Sequence, residues 1–165
     1  MTVDDFLVNP EVLQALYGCV PHLSGVTLRS INLDWCGHTV TLRIDLPSFP
    51  GSAPREWIDA GMDAVQCQLQ FLAVEKISLT DWAPPAVGDI NLAPWGRERR
   101  MRVTVSGSGV ALGFHCNESV TVGHVSAFKV KADGSDSGRH FFVGKVDARR
   151  YSALPGPDDR TFYAR

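Results

Sequence analysis

The sequence lacks a long apolar run and has few cysteines. No stretch approaches the roughly 20 apolar residues that a membrane-spanning helix needs, and residues 1–5 are acidic where a signal peptide is basic. Nothing marks the chain as secreted, so its four cysteines do not predict disulfides. We therefore expect a cytoplasmic protein with no membrane partner, in which Cys67 and Cys116 point into the core.

Recognisable catalytic motifs are also missing. The glycines around Ser108 lack the spacing of a nucleophile elbow, and no Gly-Lys-Ser/Thr phosphate loop is present. A metal set is conceivable if the end of the first helix meets a hairpin tip, and it would comprise Cys19, His22, Cys36 and His38. Paired zinc-type spacings are absent, however, so we expect no metal and no cofactor. The basic run at residues 97–102 is too weak, at a pI near 6.2, to indicate nucleic-acid binding.

The composition is that of one globular domain. The 165 residues are 44% hydrophobic and 21% charged. Residues 1–93 carry eleven acidic and four basic residues (−7), whereas residues 94–165 carry seven and twelve (+5), which gives the net charge of −2. We favour cancellation of these charges within one sheet. The alternative is a polarised surface that steers a charged partner.

One helix and one hairpin are predicted near the N-terminus. Asn9-Pro10-Glu11 is typical of a helix start, and Gly18 ends the helical pattern. Residues 39–46 alternate between apolar and polar, as a half-buried strand does. Residues 26–35 change phase, which predicts a β-bulge near Arg29-Ser30 and a hairpin over residues 26–46. On this pattern Asp45 faces outward as a solvated charge.

The remaining pattern is that of a mainly β (α+β) fold. A short helix is predicted at residues 55–60, and the strands are antiparallel, about eight in number, and form a curved sheet or sandwich. After the hairpin they cover residues 65–71, 76–80, 89–93, 99–106, 110–116 and 119–130. Gly107-Ser108-Gly109 is interpreted as a tight turn. We predict a single domain at residues 1–131 and a partly ordered C-terminal extension at residues 132–165, in which residues 140–146 add one more strand.

The four tryptophans are the strongest binding signal. Trp35 and Trp57 are interpreted as caps on the open ends of the sheet. Trp82 and Trp95 lie beside prolines in predicted loops, and exposed tryptophans are enriched at the centres of protein interfaces. We therefore predict a partner-binding surface that includes Asp81, Trp82, Asp89 and Trp95.

The order of these features resembles the immunity-protein family numbered fifty, which is found beside polymorphic toxins in bacteria. The resemblance covers residues 6–130 and rests on Asn9-Pro10, Leu16-Tyr17-Gly18, Pro21, Ser24-Gly25-Val26, residues 41–47, Trp57, residues 65–71 and residues 78–82. It implies a protein without enzymatic activity that binds a cognate toxin and covers its active surface. The acidic half of the chain suits a basic toxin such as a nuclease.

Two other functions remain open at this point. A small-ligand or carbohydrate-binding β module would stack Trp82 or Trp95 on a sugar ring in a concave groove. A hydrolase would need titratable groups clustered in a cleft.

Overall fold

The N-terminal part of the chain is helical in the computed structural model, which describes residues 2–151 and 154–155. A 3-10 helix, Val3–Phe6, precedes α1, Glu11–Tyr17. Helix α1 starts after Asn9-Pro10 and stops at Gly18, whose φ of 80° only glycine adopts readily. Both ends are where the sequence predicts them.

The predicted hairpin is confirmed. Strand β1, Val26–Asp34, pairs antiparallel with β2, Thr39–Asp45, and the register shifts between Leu28 and Ser30. The extra residue in this β-bulge absorbs the break in the alternation of apolar and polar residues along β1. As a result, Leu28 lies beside Ile44 and Ile31 beside Leu42. The predicted bulge therefore aligns both halves of β1 with one apolar face.

The remaining elements complete one antiparallel sheet. The strands are β3 (Ala64–Phe71), β4 (Glu75–Trp95), β5 (Arg100–Asn117), β6 (Val120–Phe128) and β7 (Phe141–Phe142). Two short helices, α2 (Arg55–Asp59) and α3 (Lys145–Arg150), precede β3 and follow β7. The strand order is β5-β4-β1-β2-β3-β6-β7. The mainly β, antiparallel fold class is confirmed, with seven strands in the described part of the chain, and the strand predicted at 140–146 is reduced to two residues.

Gly107-Ser108-Gly109 is not a turn between two strands but lies within β5. Gly107 pairs with Gly88, and Ser108 with Val87, so that two predicted strands merge into β4 and two into β5. A Cβ on Gly88 would lie 2.6 Å from the Ser106 carbonyl oxygen. The glycines therefore serve the close approach of two backbones. The local sequence does not distinguish this role from a turn.

The β4–β5 ribbon is sharply bent beside these glycines. Trp82 pairs with Val110 and Val87 with Ser108, so residues 83–86 of β4 oppose Gly109 alone. The two ends of β5 lie side by side, as a hydrogen bond between the residues that flank the strand shows: the Glu118 N–H donates to the Arg99 carbonyl over 2.9 Å. The ribbon thus folds back on itself.

One hydrophobic core lies between the apolar face of the sheet and the 3-10 helix, α1 and α2. Trp57 of α2 is fully buried in it, and Phe71 packs edge-on against Phe114 with 5.2 Å between ring centroids. Cys67 and Cys116 are buried and free, as predicted. The prediction that Trp35 caps the sheet is wrong: its side chain is 87% exposed, because the hairpin tip extends past the core.

The opposite face of the sheet is polar and partly covered. The prediction that Asp45 is solvated is wrong, since its carboxylate pairs with Arg29 at 2.6 Å and both side chains are under 10% exposed. Gln66 donates to Asp45 over 3.0 Å and to Asp136 over 2.7 Å. Asp136 belongs to the segment after β6, which folds back over this part of the face and buries Asp45 and Gln66.

Candidate functional site

Trp95 ends β4 just before the β4–β5 turn and is half exposed. Its ring stacks on His115, with centroids 4.5 Å apart and an interplanar angle of 28°. His115 is 5% exposed, and Arg102 lies 3.1 Å from its Nε2. A guanidinium only donates, so Nε2 accepts and the imidazole is neutral with its proton on Nδ1. Burial, helped by the Arg102 charge, lowers the pKa of His115, which agrees with this assignment.

Arg100 holds the chain around this tryptophan in place. It donates to the Asn117 side-chain carbonyl over 2.8 Å and to the Ala73 backbone carbonyl over 3.0 Å. It also pairs with Glu75 at 3.0 Å. The sequence presented Arg100 only as one member of a solvated basic run, so this role was missed. Trp95 therefore projects from a backbone that Arg100 ties to two neighbouring segments, which reduces the entropy lost on binding.

Asp81 and Trp82 lie at the other end of the folded ribbon. Asp81 is exposed, and Trp82 is partly buried against the core. Trp95 contacts His115, which pairs with Glu75 across the ribbon. Trp82 lies seven positions after Glu75 along β4, a span of the order of 20 Å. The structure therefore does not bring Trp82 and Trp95 together.

Asp89, the fourth predicted binding residue, has contacts inside the protein. Its Oδ1 accepts the Ser24 hydroxyl over 2.7 Å and the Gly25 N–H over 2.8 Å. These hydrogen bonds, that from Ser24 above all, lower the pKa of Asp89. The carboxylate therefore fixes the entry of the chain into β1.

Two clusters of titratable side chains lie under the segment that follows β6. The Ser126 hydroxyl and His140 Nδ1 are 2.8 Å apart, and His140 Nε2 donates to the Asp136 carbonyl over 2.8 Å. His124 Nδ1 and Asp147 Oδ2 are in contact at 3.1 Å. Ser126 and His140 are at most 3% exposed. A serine–histidine pair with no access to substrate has no means of catalysis in this arrangement.

The alternative metal set is not assembled. Cys19 and Cys36 are exposed, and within residues 2–151 no group of three or more metal-ligating side chains is gathered. Three open pockets have volumes of about 630, 300 and 270 Å³. Tryptophan lines none of these three, so none matches the groove expected of a sugar-stacking site.

Together these features define an α+β protein that presents a rigid, half-exposed aromatic side chain on an ordered turn. The chain belongs to the immunity protein 50 family, whose model matches residues 9–128. No curated protein and no solved structure matches it. Among the described residues, no helix has the length and apolar character to cross a membrane.

Proposed function

We propose that this protein is a bacterial cytoplasmic immunity protein that binds a cognate polymorphic toxin and neutralises it by covering the toxin's active surface. Membership of a family of immunity proteins supports the class of partner. The observation that carries the binding role is Trp95, half exposed and fixed by His115. An aromatic ring ordered before contact is typical of an interface hot spot.

The acidic surplus of the N-terminal half supports a basic toxin, such as a nuclease. The helical layer over the core, which we define as residues 3–17 and 55–63, exposes six carboxylates and one cation, Arg55. The carboxylates are Asp4, Asp5, Glu11, Glu56, Asp59 and Asp63. This surface would accelerate capture of a basic domain by long-range attraction, which weakens as salt rises. Exposed Asp81 adds to the negative charge near Trp82.

The test uses the toxin domain encoded beside this chain's gene. Co-expression of the wild-type chain should restore growth of cells that make the toxin, and the two proteins should co-purify. Trp95→Ala should weaken binding about 30-fold, the effect of a typical hot-spot residue. Ile58→Ala removes another exposed apolar side chain and should change affinity less than about threefold. Failure of the wild-type chain to bind or to protect would refute the proposal.

Trp82→Ala and Asp81→Ala separate the two ends of the ribbon. Loss of affinity in Trp95→Ala alone would place the contact at the turn. Loss in Trp82→Ala and Asp81→Ala, at unchanged thermal stability, would place it at the bend.

A further inference from the structure

Four chain connections meet at one end of the molecule. We define this four-turn end as residues 33–38, 72–77, 95–100 and 117–119. Backbone hydrogen bonds join its parts: the Val74 N–H donates to the His38 carbonyl over 2.8 Å, and the Asn117 N–H donates to the Leu72 carbonyl over 3.0 Å. The Arg99–Glu118 bond and the contacts of Arg100 add further links. Residues from four separate parts of the sequence therefore form one continuous structure.

Unusual backbone conformations are concentrated at the four-turn end. Five non-glycine residues of the described chain have positive φ, and four of them lie here: His38, Ala73, Lys76 and Arg99, with φ between 41° and 53°. Such residues persist only where their surroundings hold them, and they cluster at functional sites. Here the His38, Ala73 and Arg99 carbonyls each accept a hydrogen bond from a neighbouring connection. The surface is thus fixed before any partner arrives.

Large apolar side chains are exposed at the same end. Of eleven exposed large hydrophobic residues in the described chain, five lie here: Leu33 (58%), Trp35 (87%), Leu72 (41%), Ile77 (42%) and Trp95 (50%). Scattered exposed apolar residues are normal, but several together on ordered turns mark an interaction surface.

The charges at the four-turn end balance. It contains four acidic residues, Asp34, Glu75, Glu98 and Glu118, and four basic ones, Lys76, Arg97, Arg99 and Arg100. Some of them are satisfied internally, since Glu75 pairs with Arg100 and Asp34 accepts the Cys36 N–H over 2.8 Å. The surface therefore offers little net attraction to a strongly charged partner, and its five exposed apolar side chains can contribute to binding without opposition from a net charge.

We propose that the four-turn end is the surface that docks on the toxin domain, with Trp35 and Trp95 as paired anchors in an apolar hollow of that domain. This inference rests on the proposed function. The acidic helical layer governs the rate of encounter, and the four-turn end governs how long the complex lasts. Trp35 contributes most of its side chain to the contact, because almost none of it is used within the protein.

The experiment measures dissociation rates of the complex with the toxin domain encoded beside the gene. We expect Trp35→Ala and Trp95→Ala each to raise the dissociation rate at least about 10-fold, and the double variant about 100-fold or more. Matched controls are Ile58→Ala and Val146→Ala, which remove exposed apolar side chains elsewhere and should change the rate less than about threefold. Between about 50 and 500 mM NaCl the dissociation rate should stay within about threefold, while the association rate falls.

The outcomes separate this inference from the proposed function. If the toxin is bound and neutralised but both tryptophan variants behave as the wild type does, the four-turn end is not the docking surface and the immunity role stands. If the wild type does not bind the toxin, the immunity role fails. Sedimentation of the chain alone tests a second copy as occupant: a dimer lost in the double variant would overturn the inference. Thermal unfolding of each variant checks that the fold is unchanged.

Discussion

Asp45 and Arg29 show what a residue's own strand does not reveal. Alternation places Asp45 on the second face of β2 correctly, but the segment that buries this face begins about 90 residues later in the chain. There Asp136 accepts from Gln66 and pairs with Arg43 at 3.1 Å. The direction of the side chain was therefore predictable from the period of two, and its burial was not.

His140, in the same buried layer, makes stability depend on pH. Burial is the main cause that lowers the pKa of His140 in the folded protein. As pH falls below about 6.5, the unfolded chain takes up a proton that the folded chain does not. The free energy of unfolding should therefore fall, by at most about 1.4 kcal/mol per pH unit, until pH reaches the folded-state pKa.

Urea unfolding of the wild type and His140→Gln between pH 5 and 8 measures this dependence. The variant should lose stability less steeply below pH 6.5, because it has no proton to take up at this position. His22→Gln is the control and should follow the wild-type curve. Identical slopes for all three proteins would contradict the prediction.

At the scale of elements, β4 and β5 show how glycines inside a strand are mistaken for a turn between two strands. Pro84-Pro85 and the Gly107–Gly109 stretch each interrupt the alternating pattern, and an interruption normally indicates a turn. Here both interruptions face each other at the bend of one ribbon. Sequence reasoning places the break correctly but cannot state that the two chains stay paired through it, because pairing depends on the distant strand.

Gly107→Ala should damage this ribbon. A Cβ at Gly107 would overlap the Val87 carbonyl, a backbone atom that cannot rotate away. We expect a loss of at least about 2 kcal/mol in the free energy of unfolding, measured with urea. Gly51→Ala is the control, because a Cβ there meets nothing within 4 Å. Equal stability of the two variants would show that the bend tolerates a wider spacing.

At the scale of the whole molecule, the family match ends at residue 128. Several buried polar side chains of the sheet have their hydrogen-bond partners beyond this residue. Residues after this point supply Asp136, His140 and Asp147, which bond to Gln66, Ser126 and His124 of the sheet. Strand β7 also pairs with β6. The predicted domain boundary at residue 131 therefore remains a prediction, with a direct test.

A chain of residues 1–131 should be destabilised by several kcal/mol relative to a chain that ends at residue 155. Each buried polar group left without its partner costs about 1–3 kcal/mol. The longer control retains all the contacts named above. Calorimetry of both chains measures the difference. Equal melting temperatures would show that residues 1–131 form a domain alone and that the covering segment is an accessory.

The candidate site was predictable only in part, because its residues come from four connections. Trp95 was identified from its type and its place beside a proline. Trp35 was predicted to cap the open end of the sheet. That prediction failed because a strand end next to a glycine turn does not indicate how far the hairpin extends past the core. Arg100 needs Ala73 and Asn117 as neighbours before its role is visible. Contacts between distant turns are a property of the fold that no local pattern carries.

Asn9 joins the start of the chain to β6. Its side-chain amide donates to the Val122 carbonyl over 2.8 Å and accepts the Val122 N–H over 2.9 Å, and Leu7 bridges to Val120 nearby. During synthesis, these two hydrogen bonds of Asn9 cannot form until more than 110 further residues have left the ribosome. We expect the start of the chain to lock onto β6 only late in translation, after most of the sheet has been made.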